Sequence, residues 1–210
     1  MTPTSLAEPL VPAAPEAWKP LVSGDGEGLV AALNAAGLPQ RMEFLESLTK
    51  ADQRRMWEQA ADNSPLTVED LVPRDVPVGE PVIWHGFNTL PLPRFGRRFR
   101  KPMVRLPDGR IGGYNDSPFT PFIGPGYFIT RACDDEEFEH SSVVIDYHQR
   151  PTDSVPEHWP WLRPNWLGLQ LLVYFHTRDY LRRVSDDVVI GLATKYGNSL
   201  GNWFTLVRQP

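Results

Sequence analysis

The stretch "LRRVSDDVVIGLATKYGNSLGNWFTLVR", residues 181–208, decides the fold. It holds two runs rich in β-branched and aromatic residues, "DVVIGLATK" (187–195) and "NWFTLVR" (202–208). They are set off by "SDD" (185–187) and "GNS" (197–199). Ser, Asp, Asn and Gly supply the local hydrogen bonds and left-handed dihedrals of tight turns. Connections this short suit antiparallel neighbours, because parallel strands need a long crossover.

Working upstream, the same texture recurs as far as Pro77. "PVIWHGFN" (81–88), "RFGRRFRKPMV" (94–104), "RIGGYN" (110–115), "GYFITRA" (126–132), "SSVVIDYH" (141–148) and "LQLLVYFHTRDYL" (169–181) bring the total to eight strand-like runs. Turn chemistry divides them at Pro91–Pro93, "PDG" (107–109) and "DSP" (116–118). Eight antiparallel strands closed on themselves leave an interior just large enough for one small ligand. The expected fold is therefore mainly β, an eight-stranded antiparallel barrel over 78–210, with an α-helical N-terminal section.

That section is expected over 25–77 as a helical cap. "EGLVAALNAAG" (27–37), "LPQRMEFLESL" (38–48), "TKADQRRMWEQAAD" (49–62) and "TVEDLV" (67–72) carry apolar residues at helical spacing. Thr49 with Asp52 and Thr67 with Asp70 are capping-box pairs. Residues 1–24, rich in Pro and Ala, read as a flexible tail.

Composition narrows the function classes. The chain has 210 residues, 41% hydrophobic, and a formal net charge of −5, so nothing global draws it to nucleic acid. Cys133 is the only cysteine, which excludes an intrachain disulfide and a Cys-based zinc site. The histidines 85, 140, 148, 158 and 176 form no H-x-H or H-E-x-x-H pattern, so no metal is expected. Nucleophile-elbow, phosphate-loop and dinucleotide signatures are absent, and no cofactor is expected. No window nears the roughly 20 apolar residues of a bilayer span, and the N-terminus lacks a signal-peptide pattern. A cytoplasmic location with no membrane partner is expected.

The basic run "RFGRRFRKP" (94–102) is the strongest local charge feature. Strand alternation sends Phe95 and Phe99 inward and Arg94, Arg98 and Arg100 into water. Nucleic-acid binding needs aromatics exposed among the charges, so the run reads as a solvated strand face. Arg97 shares the phenylalanine parity and is expected at the barrel mouth, facing an internal carboxylate or an anionic group.

"VVIDYH" sets Asp146 and His148 on one strand face, where a carboxylate and an imidazole could act as acid and base, or simply face outward. A buried Asp146 would need a partner such as Arg97 or Arg131. Tyr114, Asn115 and Tyr127 stand beside Gly112, Gly113, Gly124 and Gly126, which leave space for a pocket with polar tips. Tyr174 and Trp203 complete the expected ligand-binding set from the later strands. The segment 149–167 holds Trp159, Trp161 and Trp166 and is expected to fold over one end of the barrel, as a plug or as a lid. Trp161 then joins the site. The face shared by His176, Arg178 and Tyr180 is expected to be exposed.

"GYN" (113–115), "GPGYF" (124–128), "IDYH" (145–148), "LRRVSDDVVIGLATK" (181–195) and "GNWFTLVR" (201–208) resemble uncharacterised bacterial lipocalin-like, calycin-type β-barrel proteins over residues 84–208. The resemblance implies a fold and an internal cavity. One departure is that "GNW" lies in the last run, whereas classical lipocalins carry G-x-W in their first strand, so it is not counted as that motif. The expected function is binding of a small, largely apolar molecule by a carrier or sensor. The alternatives are a natural-product isomerase or cyclase using the cavity for conformational catalysis, and a protein-interaction scaffold with a filled barrel. A homodimer is left open.

Overall fold

The computed structural model describes residues 18–134, 138, 140–151 and 155–210. Helices α1 (Lys19–Gly24), α2 (Gly26–Ala35), α3 (Leu38–Ser47), α4 (Lys50–Gln59) and α5 (Val68–Leu71) precede the sheet. The strands are β1 (Val82–Asn88), β2 (Arg98–Arg105), β3 (Ile111–Gly113), β4 (Phe128–Ala132), β5 (Val143–Asp146), β6 (Thr177–Ser185), β7 (Val188–Lys195) and β8 (Asn198–Arg208). Three single-turn helices, α6 (Arg94–Arg97), α7 (Thr120–Ile123) and α8 (Gln170–Val173), lie in the connections. Each strand pairs antiparallel with the next, and β1 pairs with β8 to close the barrel.

Both capping boxes form. The Thr49 side chain accepts from the Asp52 amide and the Asp52 carboxylate accepts from the Thr49 amide, and Thr67 and Asp70 repeat the arrangement. The expected tail differs: residues 1–17 lie outside the described residues, while 18–24 start the fold. Trp18 is fully buried and its ring lies 5.0 Å from that of Phe44. Pro20 sits in the first turn of α1, where its missing N–H costs nothing.

Both faces of the barrel wall are covered, which splits the core into three clusters. Inward, Trp84, Met103, Ile111, Phe128, Ile145, Leu181, Val189 and Leu206 fill the barrel. Outward, Val188, Ile190, Leu192 and Val207 pack under Trp18, Leu33, Phe44 and Met56 of the helices. Arg182 fixes this contact, donating to the Trp57 carbonyl at 2.7 Å with its guanidinium 3.9 Å from the Trp57 ring centre. Tyr180 is buried there too, so the Tyr180 end of the face expected to be exposed packs under the helices, while His176 and Arg178 are half-buried. The third cluster, Val104, Leu106, Tyr127 and Ile129, lies on the outer wall under Trp159.

Two expectations are corrected by this packing. Of the tryptophans expected over one end of the barrel, Trp159 is buried against a side wall, while Trp161 and Trp166 are 77% and 60% exposed. The basic run is not one strand, because residues 94–97 make the turn α6 after Pro91 and Pro93, and β2 starts at Arg98. Phe95 is consequently 61% exposed, while Phe99 does point inward. Arg94 and Arg98 both pair with Glu46, and Arg100 pairs with Asp116.

If helices and barrel share one core, Trp18→Ala should cost about 3–5 kcal/mol of unfolding free energy. Urea denaturation followed by circular dichroism should still show one transition, shifted to lower denaturant. An unchanged midpoint would separate the helices from the barrel's stability.

Candidate functional site

Strand parity brings Lys101 of β2 and Asp179 of β6 inside the barrel, with Asn115 just after β3 and Tyr147 just after β5. All four are buried, and Lys101 is 1% exposed. The Lys101 ammonium donates to Asn115 Oδ1 at 2.7 Å, to Tyr147 Oη at 2.6 Å and to Asp179 Oδ2 at 3.3 Å. Tyr147 in turn donates to Asp179 Oδ2 at 3.0 Å and accepts from Asn115 Nδ2 at 2.9 Å. Three acceptors match the three N–H bonds of a charged lysine, and one Asp179 oxygen taking two donors matches a carboxylate.

The same ammonium is surrounded by rings. Its Nζ lies 5.5 Å from the Phe99 centroid, 5.1 Å from Phe128, 5.2 Å from Tyr147 and 5.3 Å from Phe204. These distances fall within the range of cation–π attraction, which strengthens where water is excluded. Glycines make room for the rings. Phe99, Phe128 and Phe204 are cross-strand partners of Gly86, Gly113 and Gly191. A Cβ on any of those glycines would come within 2.6 Å of the facing ring.

Burial lowers the Lys101 pKa from that of a free lysine, an effect the Asp179 charge opposes. Burial likewise raises Asp179, opposed by Lys101 and the hydrogen bonds of Tyr147 and Lys101. The Tyr147 phenol is pushed well up, first by burial and then by the Asp179 charge.

Above this cluster a cavity of about 280 Å³ opens at the end of the barrel where α6, α7 and α8 lie. Leu90, Leu92, Phe119, Ile123, Val173 and Phe204 give it apolar walls, with Asn88, Asn202 and Tyr174 among them. Tyr174 stacks on Tyr147 at 5.3 Å, and burial raises its pKa. Its hydroxyl has no hydrogen-bond partner among the described residues.

Of the residues expected from sequence, Asn115, Tyr174 and Trp203 meet at this cavity. The others do not. Tyr114 and Tyr127 face the outer wall, their rings 4.9 and 6.3 Å from Trp159, because inward parity at β4 belongs to Phe128. The Tyr127 hydroxyl donates to the Pro160 carbonyl, and burial raises its pKa. Asp146 is buried on the outer face between Arg131, at 3.1 Å, and Arg178, at 3.3 Å. Of the two partners expected for it, Arg131 is the one that forms. Arg97 donates to the Leu92 carbonyl at 2.9 Å from its helical turn and meets no interior carboxylate among the described residues. Trp161 stands in solvent.

Lys101, Tyr147 and Asp179 are the site residues that sequence reasoning missed. The signal was available for Lys101, which shares the parity of Phe99. No group of three or more His, Cys, Asp or Glu side chains is placed to hold a metal among the described residues. No protein family, curated protein or solved structure matches the chain.

Lys101→Met should cost about 3–5 kcal/mol by leaving Asp179 buried without its cation. In that variant the Asp179 pKa lies above its ordinary 3.8 with no countercharge. The folded state then favours the protonated acid, so stability should fall as pH rises from about 4 through the raised value. Adding Asp179→Leu should restore most of the loss and flatten the pH dependence. Denaturation midpoints from about pH 5 to 8 check this. A single variant as stable as the wild type would refute the buried pair.

Proposed function

We propose that the protein holds one small, neutral, largely apolar molecule inside the barrel, as a carrier or sensor of the lipocalin-like kind. The observation that carries the proposal is an apolar cavity lined in part by Tyr174, whose hydroxyl has no partner among the described residues. Apolar walls with a few placed polar groups are the usual character of a small-molecule site, and the volume of about 280 Å³ falls just below the drug-sized range. The open interior supports ligand binding over a filled scaffold.

Charge accounting supports a neutral ligand. Lys101 is already matched by Asp179, so a carboxylate or an ammonium would bring a third, uncompensated charge into a largely apolar cavity. A hydroxyl or carbonyl on an apolar frame could instead bond Tyr174, Asn88 or Asn202 at no such cost.

A second reading comes from Lys101, Tyr147 and Asp179 at the cavity base. Buried groups with opposed protonation preferences suit proton transfer to a bound substrate, as an isomerase or cyclase would need. Loss of turnover with retained binding in Lys101→Met would favour that reading.

Native mass spectrometry of protein purified from its own host is expected to reveal one neutral molecule released on activation. Tyr174→Phe should weaken its binding by about 1 kcal/mol, roughly fivefold, with stability unchanged because the hydroxyl bonds nothing among the described residues. Ala193→Phe should fill the cavity and abolish binding. Absence of any released molecule, together with no uptake of neutral fluorescent apolar probes, would overturn the proposal.

A further inference from the structure

The connection between β5 and β6 builds a second cavity of its own. Its volume is about 340 Å³, and every residue that lines it, from Tyr147 to His176, lies between those two strands. Asn165 holds the connection in place, donating to the Tyr127 carbonyl at 2.7 Å and to the Tyr147 carbonyl at 2.8 Å. His148 and His176 meet edge to face with ring centres 4.9 Å apart, and His176 stacks in turn on Tyr196 at 4.7 Å. Tyr147 borders this cavity and the barrel cavity alike, so the two are neighbours.

The lining has one sign of charge. No carboxylate borders the cavity, whereas Arg150 does, and Arg150 has no ion-pair partner among the described residues. The nearest acid along the chain is Asp146, which accepts from the His148 amide at 2.9 Å and is already matched by Arg131 and Arg178. Burial lowers the His148 pKa, with Asp146 opposing and Arg178 and His176 adding to the shift. Arg150 is therefore the permanent charge of the cavity. Trp166, Phe175, Tyr147 and the two imidazoles give it aromatic walls.

We propose that this cavity binds a small aromatic acid as its carboxylate, with Arg150 on the carboxylate and the ring of the acid against Trp166 and Phe175. A guanidinium meets a carboxylate through two parallel N–H bonds, and one cation matches one negative charge. Aromatic walls favour a ring in offset or edge-on contact. A phosphomonoester carries nearly two charges at neutral pH, and a nucleic acid needs a track of cations; a single free arginine suits neither. The acid differs in charge from the neutral molecule of the barrel, and its site does not depend on that molecule.

Isothermal titration calorimetry of the full chain with 1-naphthoate, with its neutral amide and with acetate separates the charge from the ring. One 1-naphthoate is expected to bind per chain, and the amide and acetate each at least tenfold more weakly. Arg150→Gln should fold normally, because the side chain is exposed and bonds nothing among the described residues. It should weaken 1-naphthoate roughly tenfold, as loss of a hydrogen-bonded charge pair does, and leave the amide unchanged. Trp166→Ala should weaken both aromatic compounds. Ala193→Phe, which fills the barrel cavity, should leave 1-naphthoate binding intact, so failure of the barrel reading leaves this result standing. No binding of 1-naphthoate, equal binding of the amide, or binding that Arg150→Gln does not weaken overturns the inference.

Discussion

The ammonium of Lys101, held by one carboxylate, one phenol and one amide inside four aromatic rings, is the interaction on which the interior depends. A lysine taken out of water is costly unless its charge is matched and its donors are used. Here Asp179 matches the charge and all three donors have acceptors. The cation stands on β2 and its three ligands come from near β3, β5 and β6, so satisfying it also fixes how those parts of the wall face one another. The rings need Gly86, Gly113 and Gly191 across from them. Polar satisfaction and aromatic packing thus rest on the same three absent side chains.

The cluster also gives the cavity its character. Because Lys101 and Asp179 cancel, the cavity floor is polar without net charge. The walls above are apolar, and the Tyr174 hydroxyl remains as a polar handle. A site of this kind favours a neutral molecule by penalising charged ones, a form of discrimination that needs few direct contacts.

The closed antiparallel barrel was legible because its turns are short and strongly marked, as "SDD" and "GNS" show. The faces of the strands were harder to read. Val188, Ile190 and Leu192 look as core-like as Val189, because helices bury the outer wall as thoroughly as side chains fill the inner one. Hydrophobicity then no longer tells inside from outside: Tyr114 and Tyr127 read as inward yet face out, and the face of Asp146 stayed open between the two. At residues 94–97 a strand pattern gave way to a helical turn under two prolines, and the same happened at α8, which interrupts the run at 169–181. Lys101 escaped notice because a lysine in a basic run reads as solvated. Only its parity with Phe99 argued otherwise.

The state of Lys101 is open to direct observation by NMR of protein labelled with nitrogen-15 at the lysine side chains. One ammonium signal should persist at neutral pH with slow hydrogen exchange, its proton shifts moved upfield by the surrounding rings, and it should vanish in Lys101→Met. Rapid exchange at every lysine, or a neutral amine at position 101, would contradict the caged, ion-paired cation.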